Sequence, residues 1–186
     1  MTKGRILNWN KINSPPKIAA MAISTVCGVG LLPLAPGTFG ALAAIPVVYL
    51  TTDLHWLLRS LFWSLVIIMG TWAAKVFDQL MDSHDNQNIV IDEAVGIAIT
   101  AWTAGGHLQT LAVAFVIFRF FDIVKLPPVR QVDAMSIKIS KDADKNILGF
   151  ISPEWRTAMT VMADDIIAGF QGLFIVLVLQ KLGFLP

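Results

Sequence analysis

The chain has one cysteine, Cys27, in 186 residues, which excludes an internal disulfide and any cysteine-rich metal site. It also argues against a cysteine phosphatase. Such an enzyme needs an arginine beside its thiolate to cradle phosphate, and Cys27 is followed by Gly-Val-Gly-Leu-Leu-Pro. The thiol therefore reads as a small buried apolar group.

Charge is equally scarce. Charged residues make up 15% of the chain and the formal net charge is +1. No long basic stripe appears, so the footprint of a nucleic-acid binder is missing. Hydrophobic residues reach 55% and mean hydropathy is +0.67, well outside the usual soluble range. Asp, Glu, Lys and Arg are absent from Ile18 to Thr52, from Ala94 to Phe118 and from Ile166 to Gln180. A water-exposed helix needs a polar stripe, so these runs point to lipid. Lys3, Arg5, Lys11 and Lys17 ahead of the first run imitate a signal peptide. A motif-like loop follows directly, which argues against cleavage.

Pro33, Pro36, Gly37 and Gly40 break the first run, which resumes from Ala41 to Leu50; this predicts a helix, a loop and another helix. A span follows from about Trp56 to Ala74, then a polar segment from Lys75 to Glu93. Gly105-Gly106 within the stretch Ala94 to Phe121 predicts a turn between two short helices. The longest polar stretch, Asp122 to Asp165, precedes a last apolar helix from Ile166 to about Leu182. A bilayer core takes about 20 helical residues to cross. Several runs fall short, so tilted or half-membrane helices belong to the reading. The fold class is all-α: a multi-helical integral membrane bundle forming one domain over residues 1–186, with a polar N-terminal tail at 1–17 and a polar loop insertion at 134–160. With the basic tail cytoplasmic, both long polar stretches fall on that side, and the carboxylates cluster at the cytoplasmic interface.

Four constellations carry chemistry. Leu34-Ala35-Pro36-Gly37-Thr38-Phe39-Gly40 is a loop opening onto a helix with Thr38 as N-cap; unpaired N–H groups there suit a phosphate, although such a loop taken alone is more often a plain helix break. His84-Asp85 is followed by Asp92-Glu93 at the mouth of an apolar helix. Such a pair is costly to bury without a cation, or else it complements the helix dipole. Arg119, Asp122 and Lys125 are spaced by three and share a helix face, where the two cations suit phosphate oxygens, or simply form ion pairs. Asp164-Asp165 is a second acidic pair ahead of an apolar helix. Two such pairs, each followed by a glycine that lets helices pack closely, suggest one shared magnesium site. Hard oxygen donors favour Mg²⁺ over Zn²⁺. Asp142-Ala143-Asp144 starts like a calcium loop, but Ile147 stands where that loop needs glycine.

Read in order, these stretches resemble the phosphatidylglycerophosphatase A family of bacterial membrane phosphatases, whose pattern runs P-G-T-x-G, H-D, D-E, F-R-x-x-D-x-x-K and D-D-x-x-A-G. The match extends from about Gly28 to Gly172. The family has Lys-Pro-x-Pro where this chain reads Lys125-Leu126-Pro127-Pro128, and a short glycine-rich link where this chain runs from Asp133 to Asp164. The resemblance implies Mg²⁺-dependent hydrolysis of phosphatidylglycerophosphate to phosphatidylglycerol and phosphate at the cytoplasmic face of the inner membrane. Thr38, His84, Asp85, Asp92, Glu93, Arg119, Asp122, Lys125, Asp133, Asp164 and Asp165 occupy the matching positions.

On this reading Asp92, Glu93, Asp164 and Asp165 hold Mg²⁺, Arg119 and Lys125 grip phosphate with the loop at Thr38, and His84 or Asp85 activates water. Asp122 completes the catalytic set. The expected partner is a phospholipid, with no nucleic acid; the sequence sets no oligomeric state. A transporter or channel with a carboxylate-lined cation path is the alternative, as is a phosphatase for another lipid phosphate. Transport sites sit near the bilayer midplane, whereas these acids flank basic residues at helix ends.

Overall fold

The structure is a computed structural model that describes residues 12–83, 86–127, 131 and 152–186. Among the described residues there are six α-helices and no strand: α1 (Pro15–Ser24), α2 (Pro36–Thr51), α3 (Trp56–Met81), α4 (Ile91–Thr100), α5 (Leu108–Val124) and α6 (Pro153–Lys181). A single 3₁₀ turn, Val29–Leu31, lies between α1 and α2. Two helices, α3 and the Glu154–Lys181 portion of α6, are long and apolar enough to cross a membrane. Both leave large apolar side chains uncovered, among them Leu58, Leu61, Leu65 and Ile68 on α3 and Phe170 and Phe174 on α6.

Helix α4 is the hub. It packs against α6, α2, α5 and α3, and all its residues except Glu93 and Ile99 are buried, as expected for a helix apolar on every side. Its closest neighbour is α6. A Cβ placed on Gly169 would lie 2.8 Å from the Gly96 carbonyl oxygen and 3.3 Å from Gly96 Cα, so these two glycines let the backbones touch. The Thr100 hydroxyl donates to the Gly96 carbonyl at 3.0 Å and to the Gly169 carbonyl at 3.2 Å, locking the crossing one turn further on. At the far end of α4, Arg59 is buried and donates through Nη1 to the Trp102 carbonyl at 2.7 Å. Its guanidinium lies 4.3 Å from the Trp102 ring centre. A cation here satisfies carbonyls that the helix end leaves open.

The turn between α4 and α5 is where the glycines place it: Gly105 and Gly106 have φ of 55° and 78°, which residues with a Cβ rarely adopt. Other boundaries differ from expectation. The polar tail 1–17 is shortened by Pro15, which starts α1 because proline suits the first helical position. Pro153 does the same for α6, so residues 153–160 of the expected polar loop are helical. Helix α3 continues past Ala74 to Met81, its polar end carrying buried Asp78. Cys27 is exposed rather than buried; it follows α1 in a left-handed turn, with φ of 54°, that carries it away from the core.

Candidate active site

One cavity of about 500 Å³ gathers Ala35, Pro36, Gly37 and Thr38 from the start of α2, Asp92 and Glu93 from α4, Arg119, Asp122 and Lys125 from α5, and Asp164 and Asp165 from α6. Asn86 and Gln87 complete its polar lining. Each segment arrives by its own local logic. Asp92 and Glu93 fall in the first turn of α4, where acidic side chains complement the dipole. Arg119 and Asp122 are one turn apart on α5, with Arg119 Nη1 2.5 Å from Asp122 Oδ2. Lys125 terminates that helix at a φ of 46° and its Nζ lies 3.6 Å from Asp164 Oδ2.

The acidic residues converge. One carboxylate oxygen each from Asp92, Glu93 and Asp165 lie within 4.8 Å of one another. Asp165 is buried and Asp92 is 8% exposed. Glu93 Oε2 is buried without a hydrogen-bond partner, and Arg119 Nη1 lies 3.9 Å from its other oxygen. Glu93 stands outside the two candidate spans, and burial, with Asp165 and Asp122 nearby, raises its pKa to about 7. If every group in the cavity were ionised, five carboxylates (Asp92, Glu93, Asp122, Asp164, Asp165) would face two cations (Arg119, Lys125), leaving 5 − 2 = 3 negative charges unmatched. Clustered hard oxygens, one without a partner, fit a hard divalent cation.

Two expected details change. Thr38 is not the N-cap: α2 begins at Pro36, Ala35 caps it at a φ of 45°, and Thr38 sits inside the first turn. Proline lacks an N–H and is preset for that first position, so the helix starts three residues earlier, its cap at Ala35 and not at Thr38. Asp164 and Asp165 lie well inside α6, not at its start, and only Asp165 joins the carboxylate trio. Asp164 meets Lys125 instead, with Lys125 Nζ 3.6 Å from Asp164 Oδ2. His84, Asp85 and Asp133 lie outside the described residues.

Sequence reasoning missed Asn86 and Gln87, and placed Gly37 in the loop at Thr38 without its contact to Glu93. A Cβ on Gly37 would collide with Glu93 Oε1 and lie 3.3 Å from Arg119 Nη1, so this glycine admits the glutamate to the cluster. A Pro-Gly pair alone carries no signal for that contact. Asn86 is tied down by the buried Asp78, whose Oδ1 accepts from the Ser83 hydroxyl at 2.9 Å and from the Asn86 N–H at 3.1 Å.

Acids from two helices facing an arginine and a lysine, in an all-helical protein with two helices able to cross a membrane, define a class: a helical protein whose polar cavity can hold a cation and a phosphate side by side. The family profile described as "Phosphatidylglycerophosphatase A" matches residues 22–180. A protein of that name from Escherichia coli K12 is 36% identical over 160 residues, 86% of this chain and 80% of the relative. Another of that name from Haemophilus influenzae is 32% identical over 182 residues, 97% of this chain and 98% of the relative. A Bacteroides thetaiotaomicron protein named "Putative phosphatidylinositol-3-phosphatase" is 29% identical over 174 residues, 88% and 94% of the two chains. No solved structure matches. The chain belongs to the phosphatidylglycerophosphatase A family, a family of phosphatases.

Proposed function

We propose that this protein is a multi-pass enzyme of the bacterial inner membrane that hydrolyses phosphatidylglycerophosphate to phosphatidylglycerol and phosphate, with Mg²⁺ as cofactor and its cavity open to the cytoplasm. The observation that carries the proposal is the trio Asp92, Glu93 and Asp165 set beside Arg119 and Lys125 in one cavity. The relatives named for this activity support the substrate. The bare apolar faces of α3 and α6 support the membrane setting.

Asp92, Glu93 and Asp165 would hold the ion, which when bound neutralises charge on the phosphoryl group and lowers the pKa of water. The rest falls to the protein's own groups. Arg119, held by Asp122, and Lys125, held by Asp164, bind phosphate oxygens. The first turn of α2 lines the same cavity, and the start of a helix favours negative charge. Water attacks phosphorus while His84 or Asp85 takes its proton; the phosphorus–oxygen ester bond breaks and the glycerol oxygen leaves as an alcohol after gaining a proton. Asn86, which follows Asp85 directly, lines the cavity, which supports that pairing. Positioning and charge stabilisation supply most of the rate in phosphoryl transfer.

The test is phosphate release in detergent from phosphatidylglycerophosphate, phosphatidylinositol 3-phosphate and phosphatidic acid. The wild type should act on the first and stop when divalent ions are chelated. Asp92→Asn and Asp165→Asn should each lose on the order of 10² in rate. Full turnover by either variant, or by the chelated wild type, would sink the proposal. A transporter would release no phosphate from any lipid.

A further inference from the structure

The mechanism above uses the charged wall of the cavity and leaves its amides unassigned. Asn86 is held at three points: its N–H donates to Asp78 Oδ1 at 3.1 Å, its Nδ2 donates to the Ser83 hydroxyl oxygen at 3.2 Å, and its Oδ1 accepts from the Asn88 N–H at 3.0 Å. The Asn88 N–H requires an oxygen opposite it, so the amide is fixed one way round. One N–H and one lone pair remain on that amide, in a residue that lines the cavity. A neutral, oriented donor and acceptor beside a strongly anionic cluster is ill suited to phosphate but well matched to an alcohol.

We propose that Asn86 recognises a hydroxyl on the carbon next to the phosphorylated one, and so selects polyol head groups over bare lipid monophosphates. The inference rests on the lipid-phosphatase reading. Phosphatidylglycerophosphate carries such a hydroxyl on its terminal glycerol, and an inositol 3-phosphate head group carries it too. Phosphatidic acid carries none. A site built to bond a hydroxyl discriminates against the analogue lacking it, because its own polar group is then left unpaired.

The experiment compares kcat/KM of the wild type and Asn86→Ala on phosphatidylglycerophosphate, phosphatidylinositol 3-phosphate, phosphatidic acid and a phosphatidylglycerophosphate analogue whose terminal glycerol lacks the middle hydroxyl. Wild type should favour the hydroxylated lipid over its deoxy analogue by about fivefold to tenfold. In Asn86→Ala that preference should vanish, the natural and deoxy lipids being turned over with equal kcat/KM. Relative rates on the glycerol and inositol lipids tell which head group the cavity prefers. Equal wild-type turnover of the deoxy and natural lipids overturns the inference, and this arm needs no variant to fold. An undiminished preference in soluble Asn86→Ala also overturns it. Either result leaves the phosphatase reading standing, whereas a wild type that releases phosphate from none of these lipids removes that reading and this one with it.

Discussion

Replacing Gly37 by alanine separates function from folding. The added Cβ would overlap Glu93 Oε1 and approach the Glu93 carboxyl carbon to 2.9 Å and Arg119 Nη1 to 3.3 Å. Every atom in its way is the end of a long side chain, so the helices need not move. Alanine also favours the helix over glycine by roughly 0.5–1 kcal/mol, which offsets the crowding. Stability should therefore change by less than about 1 kcal/mol. The carboxylate, however, must withdraw from the trio it forms with Asp92 and Asp165, and a displacement on the order of 1 Å in a catalytic constellation costs about 10² in rate. Phosphate release and a thermal melt of the same detergent preparation test both halves. Wild-type turnover in Gly37→Ala would refute the argument that this glycine admits Glu93 to the site, and a collapsed melt would refute the claim that only side chains are in the way.

Cation binding should depend on pH through Glu93. Its folded pKa of about 7 lies above the ordinary glutamate value of 4.5, so between those values the cation-free folded protein holds a proton that the unfolded chain releases. That contribution to stability is complete below the lower value and is lost as pH rises through the upper one. A cation must displace the same proton. Apparent Mg²⁺ affinity should thus climb about tenfold per pH unit toward neutrality and then level off; a calorimetric affinity that is flat from acid to neutral pH would contradict it. Gly169→Ala should behave unlike Gly37→Ala, because its Cβ meets the backbone of Gly96 and, at 3.0 Å, Ile99 Cβ. Backbone cannot swing aside, so the substitution should cost about 1–3 kcal/mol and lower activity with it, as a melt paired with an assay will show.

Much of this site is legible in the sequence because its residue types are expensive where they stand. Acids at the mouth of an uncharged run are costly unless paired or bound, and that flags Asp92, Glu93 and the pair Asp164-Asp165, of which the structure brings Asp165 into the trio. Arg119, Asp122 and Lys125 announce a shared face through their spacing of three, and Asp122 and Arg119 do pair across one turn. Gly105-Gly106 marks its turn because no other residue tolerates that backbone cheaply. What does not show is tertiary. The start of α6 at Pro153 is hidden because the helix's first turns are polar on one side and cover Ala158, Val161 and Met162 on the other, a pattern weaker than the apolar run beyond them. Which of Asp164 and Asp165 joins the cluster depends on helix rotation, set by the Gly96–Gly169 crossing and not by either aspartate. The hold of Asp78 on Asn86 spans eight residues and a change from helix to loop, a contact without a period to betray it.

The short length of α4 gives these pieces a common cause. A helix of ten residues reaches only about 15 Å at 1.5 Å per residue, roughly half the thickness of a bilayer core. Running inside a ring of longer helices, it can begin at polar depth and end within protein, where Arg59 meets its terminal carbonyls. Its opposite end, positive by its dipole, then lies among carboxylates at the cavity. Backbone ends that lipid would not tolerate are satisfied at one pole by a cation and at the other by the acids of the site. The same truncation opens the space above α4 that the substrate's head group would enter. Because α4 touches α6 through bare glycine, the position of Asp165 relative to Asp92 is fixed by backbone contact and not by adjustable side chains. A site assembled from four helices can on this account stay within the tolerance that phosphoryl transfer demands, although no disulfide braces it.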